Sequence, residues 1–68
     1  MKQYICIDIG GTEIKHGVLD ENGKFLAKDK VPTEAFKGGP ALLKKVLGIA
    51  ADYLKYWKAE GICVSTAG

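Results

Sequence analysis

The chain has 68 residues, 47% of them hydrophobic and 26% charged, with nine glycines and a formal charge of +2. This describes one small globular unit with a marginal core, and it excludes a disordered tail. All ten basic residues are lysine. Arginine is the usual reader of bases and bidentate clamp on phosphodiesters, so a nucleic-acid partner is not expected. The two cysteines, Cys6 and Cys63, stand in apolar runs and read as buried free thiols of a reducing, cytoplasmic protein. With one histidine and no CxxC pair, a structural zinc site lacks ligands. The opening apolar run of six residues is too short for a signal segment or a membrane span.

Tyr4-Ile5-Cys6-Ile7-Asp8-Ile9 is rich in β-branched and aromatic residues and stops at Gly10-Gly11, as a buried strand does. Glu13 to Asp20 predicts a second strand, and Asn22-Gly23 a tight hairpin turn after it. Lys24 to Val31 reads as a third strand, with Phe25, Ala27 and Asp29 on one face, closed by Pro32. Gly38-Gly39-Pro40 then opens a helix whose apolar stripe runs through Leu43, Val46 or Leu47, Ala50, Tyr53 or Leu54, and Trp57. Gly61 ends that region, and Ile62-Cys63-Val64 is a short buried strand. The order is β-β-β-α-β. Two tight turns make the first three strands an antiparallel meander, and the helix carries the fourth back parallel to the first. The expected class is α/β, with a mixed sheet in the order 3-2-1-4. Strands apolar on both sides, served by one helix, predict a bare sheet face and self-association.

Asp8-Ile9-Gly10-Gly11-Thr12-Glu13-Ile14-Lys15 is the chemically informative stretch. A carboxylate at the end of a buried strand needs a charged or hydrogen-bonding partner. The two glycines let backbone amides approach a ligand closely, Thr12 adds a hydroxyl, and Asp8 suits a hydrated Mg²⁺. Lys15, on the returning strand, is placed to neutralise phosphate charge. The same residues also fit a plain Gly-Gly hairpin in which Asp8 caps turn amides and Lys15 is solvated. His16 reads as an ordinary strand histidine, and Trp57 with Tyr53 as helix packing.

The D-x-G-G-T-x-x-K pattern, continued by Gly17-Val18-Leu19-Asp20-Glu21-Asn22-Gly23 and by Gly61-Ile62-Cys63-Val64-Ser65-Thr66-Ala67-Gly68, resembles the opening of ROK-family sugar kinases. The resemblance covers essentially the whole chain. It implies the N-terminal half of an actin-like (ribonuclease H-like) ATPase, with residues 1–68 a partial N-terminal lobe. It further implies ATP and Mg²⁺ as cofactors, with Asp8 holding the metal through water. Gly10, Gly11 and Thr12 would meet the β- and γ-phosphates, Lys15 would assist, and Gly68 would lie near the sugar. Ser65 and Thr66 would support the site from behind. The family's general base, in an Asn-Asp pair, and its His and Cys zinc motif fall beyond residue 68. No catalytic residue is therefore assigned, because Asp20, Asp29 and Asp52 fit turn, strand and helix-surface roles. The chain is expected to be a fragment without turnover of its own. Alternatives are a piece of a ROK-type transcriptional regulator or a non-catalytic interaction module. Such regulators carry a DNA-binding domain ahead of the motif, and only seven residues precede Asp8, which favours the kinase branch.

Overall fold

The computed structural model describes residues 2–66. Strand β1 (Gln3–Ile9) runs antiparallel to β2 (Glu13–Asp20), which pairs antiparallel with β3 (Phe25–Pro32). Helix α1 (Gly39–Tyr56) then crosses over the sheet, and β4 (Gly61–Thr66) lies parallel to β1. The sheet order is β3-β2-β1-β4, as the turn and crossover signals predict.

Strand periodicity divides the sheet into two faces. Ile5 and Ile7 of β1 align with Val18 and His16 of β2, and Ile9 with Ile14, on the face that α1 covers. Ile5, Ile7, Ile14 and Val18 are at most 1% exposed there, and Val46 closes over them from the helix. Each such side chain contributes about 1.5–3 kcal/mol of burial. Leu42, Ile49, Ala50, Tyr53 and Trp57 complete the contact.

The two positions left open along the helix resolve to Val46 and Tyr53, and Leu42 packs inward where the stripe predicted Leu43. Leu43, Leu47 and Leu54 are 59%, 60% and 51% exposed. Two helix residues make polar contacts that fit this rotation. Lys45 Nζ donates to the Pro32 carbonyl at 2.6 Å and to Glu34 Oε1 at 2.7 Å, tying one flank of α1 to the end of β3. His16 Nδ1 and the Tyr53 hydroxyl are hydrogen-bonded at 2.5 Å, tying the middle of α1 to β2. At 100° per residue this rotation turns the Leu43/Leu47/Leu54 flank away from β3, toward the β4 side. There Ile62 and Val64 are also exposed, at 47% and 53%.

Three local features depart from the sequence reading. A β-bulge between Val18 and Leu19 pairs Leu19 with Phe25 but Val18 with Ala27. One extra residue in β3 moves Phe25 to the face opposite α1, so Phe25 and Ala27 do not share a face. Gly17 makes room for it: a Cβ there would stand 2.4 Å from the Ala27 carbonyl oxygen and 3.0 Å from the Phe25 ring. Secondly, a 3₁₀ turn, Ala35–Lys37, precedes α1, entered through Glu34 at φ 55°. Thirdly, Cys63 is exposed and Cys6 half-buried, correcting the expectation of two buried thiols; both are free.

Candidate functional site

The turn between β1 and β2 holds Gly10, Gly11 and Thr12. It is closed by the Gly10 N–H donating to the Glu13 carbonyl at 3.0 Å. A Cβ on Gly10 would meet that same oxygen at 2.9 Å, so the tight closure requires glycine. Gly11 differs: nothing stands within 4 Å of where its Cβ would be. The turn is therefore sterically open at its tip, where Gly11 and Thr12 are exposed.

Thr33, which the sequence reading did not single out, holds this turn in place. Its hydroxyl donates to the Gly10 carbonyl at 2.8 Å, its N–H donates to the Thr12 carbonyl at 3.0 Å, and it is 4% exposed. The contact joins residues 23 apart in the chain. No local motif signals it, because it exists only once β3 is paired with β2.

Asp8 leaves β1 on the face opposite α1. Its register neighbours are Lys15 on β2 and Ser65 on β4. Ser65 Oγ donates to Asp8 Oδ1 at 3.0 Å, so Ser65 orients the carboxylate. Asp8, Lys15 and Ser65 are all exposed. They line an open concavity of about 670 Å³ with Cys6, Cys63 and Phe25. Lys28 and Lys30 of β3 line it too, and the Lys28 ammonium lies 5.8 Å from the Phe25 ring centroid. Phe25 and Lys28 share this face because of the bulge. The concavity thus joins an apolar floor to three lysines and two carboxylates, Asp29 and the Ser65-oriented Asp8, a combination suited to an anion carrying a cation.

Of the residues expected at the site, Asp8, Gly10, Gly11, Thr12 and Lys15 gather at this end of the sheet. Ser65 joins them directly. Gly68 lies outside the described residues. The Gly10 N–H is already used by the turn, leaving Gly11 and Thr12 as its outward-facing members. The turn links two strands, so among the described residues it does not lead into a helix N-terminus.

Glu34 is held at about 2 by hydrogen bonds from Lys45 and Lys37. The Cys6 thiol is pushed up by burial and by the Cys63 thiol beside it. Tyr53 is raised by burial and by the Asp29 charge. On the helix side, His16 Nε2 is buried without a hydrogen-bond partner among the described residues. No helix among the described residues is long and apolar enough to cross a membrane.

Comparison with known proteins agrees with the motif. An uncharacterised protein of Clostridium perfringens is 46% identical over 68 residues, all of this chain and 23% of that protein. The N-acetyl-D-glucosamine kinase of Vibrio vulnificus is 34% identical over 58 residues, covering 85% of this chain and 19% of the kinase. The glucokinase of Streptomyces coelicolor is 59% identical over 29 residues, 43% of this chain and 9% of the enzyme. The chain spans less than a quarter of the length of these relatives. The ROK family model matches residues 4–68, from the first strand through the last, and the chain belongs to the ROK family.

Proposed function

We propose that this chain is the phosphate-binding part of the N-terminal ATPase lobe of a cytoplasmic, ATP-dependent sugar kinase. One observation carries the reading: Asp8, oriented by Ser65 and beside Lys15, shares one end of the sheet with a turn whose tip is sterically open. Family membership supports the actin-like fold and the kinase class.

Bound Mg²⁺·ATP supplies the transferable γ-phosphoryl group, and a sugar hydroxyl accepts it. The open space over Gly11 and the three lysines of the concavity fit such a polyanion. In this reading Gly10 shapes the turn, while the Gly11 and Thr12 amides and the Thr12 hydroxyl donate to phosphate oxygens. Asp8 would hold the Mg²⁺ through water, and Ser65, donating to Asp8 Oδ1, would fix the orientation of that carboxylate. Lys15 adds one positive charge where negative charge accumulates. Phosphoryl transfer is catalysed chiefly by positioning and charge neutralisation, and these residues supply both. The general base that takes the proton from the sugar hydroxyl belongs to a part of the kinase outside these 68 residues. The chain alone therefore gives no turnover.

The test is made in a kinase of the relatives' length that carries this segment. Asp8→Ala abolishes sugar-dependent ATP consumption, while Lys15→Ala, which removes one charge among several, retains a measurable rate. Near-parental turnover of Asp8→Ala at saturating Mg²⁺ would overturn the assignment.

A further inference from the structure

Thr33 is buried, while Gly11 at the tip of the β1–β2 turn is exposed. The Thr33 hydroxyl donates to the Gly10 carbonyl at 2.8 Å, and the Thr33 N–H donates to the Thr12 carbonyl at 3.0 Å. We propose, on the phosphate-binding reading above, that Thr33 is a positioning residue for the nucleotide: its hydroxyl aims the Gly11 N–H at the phosphates.

The peptide plane sets that direction. The Gly10 carbonyl and the Gly11 N–H belong to one peptide unit, planar and trans, in which C=O and N–H point in opposite directions. Drawing the carbonyl inward to Thr33 therefore turns the N–H outward, at the sterically open tip of the turn. Two consecutive glycines need such an anchor, because without Cβ atoms both reach backbone conformations closed to other residues. A flip of the Gly10–Gly11 peptide would present a carbonyl to the phosphate oxygens in place of a donor. The Gly10 N–H is already committed to the Glu13 carbonyl and offers no replacement.

Thr33 is itself fixed from both sides. Lys45 Nζ donates to the Pro32 carbonyl at 2.6 Å and to Glu34 Oε1 at 2.7 Å, and Lys37 Nζ lies 2.9 Å from Glu34 Oε2. Glu34 stands at φ 55°, a left-handed conformation that a residue other than glycine keeps only where its surroundings enforce it. The hydroxyl thus reaches the turn from a segment pinned to α1.

The test compares Thr33→Val, Thr33→Ala and Thr33→Ser in a kinase of the relatives' length that carries this segment. KM is measured separately for Mg²⁺·ATP and for the sugar that the parent phosphorylates, and circular dichroism verifies that each variant is folded at the assay temperature. Valine and alanine remove the hydroxyl and free the peptide. Each should raise KM for ATP by about tenfold, the scale of one hydrogen bond to a charged group, with KM for the sugar unchanged. Serine keeps the hydroxyl and should restore the parental KM for ATP. A merely structural role gives another pattern, since a smaller folded fraction lowers the rate and leaves both KM values where they were. Parental KM for ATP in Thr33→Val and Thr33→Ala, an equal rise in both KM values, or failure of serine to restore binding would overturn the proposal. Asp8→Ala separates it from the reading beneath: retained turnover there removes the reading itself. Lost turnover in Asp8→Ala, with parental KM for ATP in Thr33→Val, removes only the role of Thr33.

Discussion

Thr33→Val isolates the contact that holds the β1–β2 turn. Valine keeps the volume and branching of threonine, so at a site only 4% exposed the core packing is preserved. What disappears is the hydroxyl donating to the Gly10 carbonyl at 2.8 Å. The Thr33 N–H bond to the Thr12 carbonyl involves only backbone and remains. Losing one part-buried hydrogen bond costs about 1 kcal/mol, rising toward 3 if the carbonyl is left without water. In a domain of this size each 1 kcal/mol lowers Tm by roughly 4–8 °C. Thermal unfolding followed by circular dichroism should therefore show Thr33→Val melting about 4 °C or more below the parent. Amide hydrogen exchange should rise at Gly11 and Thr12 before it rises at Ile5 or Val18 in the core. A Tm within about 1 °C of the parent, with unchanged exchange in the turn, would refute the role given to Thr33.

Two further outcomes follow from the surface. The Glu34 carboxyl titrates in the folded chain at about 2 against an ordinary 4.5, because Lys45 and Lys37 hydrogen-bond its charged form. Its stabilisation is complete above 4.5 and is lost as the pH falls through about 2, so Glu34→Gln should flatten the melting-temperature profile across that window; an unchanged slope would contradict the pairing. The sheet face opposite α1 leaves Phe25 50% exposed, and β4 leaves Ile62 and Val64 uncovered on the helix side, so the isolated chain should self-associate. Sedimentation at micromolar concentration should show a dimer or larger species, and a compact monomer with dispersed amide resonances would count against it.

Strand order and crossover were legible in the sequence because they rest on local signals. The Gly10-Gly11 and Asn22-Gly23 turns force a meander, and a helix of three- and four-residue spacing then has to return β4 beside β1. The face assignment of β3 was not legible, since Gly17 marks the neighbourhood of the bulge at Val18/Leu19 but not which strand takes the extra residue. The same limit applies to α1. Leu43, Leu47 and Leu54 carry as much hydrophobicity as Leu42 and Val46, and the flank that faces the sheet is marked by contacts made only in the fold, the anchors through Lys45 and Tyr53 among them. At the site, Asp8 through Lys15 could be read because their chemistry is contiguous in the chain. Thr33 and the Ser65–Asp8 hydrogen bond, 57 residues apart, arise from strand pairing alone.

In the proposed function, the β1–β2 turn with Asp8 and Lys15 receives the phosphates of Mg²⁺·ATP. Its most direct test is a titration of the ¹⁵N-labelled chain with Mg²⁺·ATP, followed amide by amide in nuclear magnetic resonance spectra. The account predicts saturable shifts centred on Gly11 and Thr12, extending to Asp8, Lys15 and Ser65, and lost in Asp8→Ala. Shifts centred on α1 around Tyr53, or a turn response that survives Asp8→Ala unchanged, would contradict it.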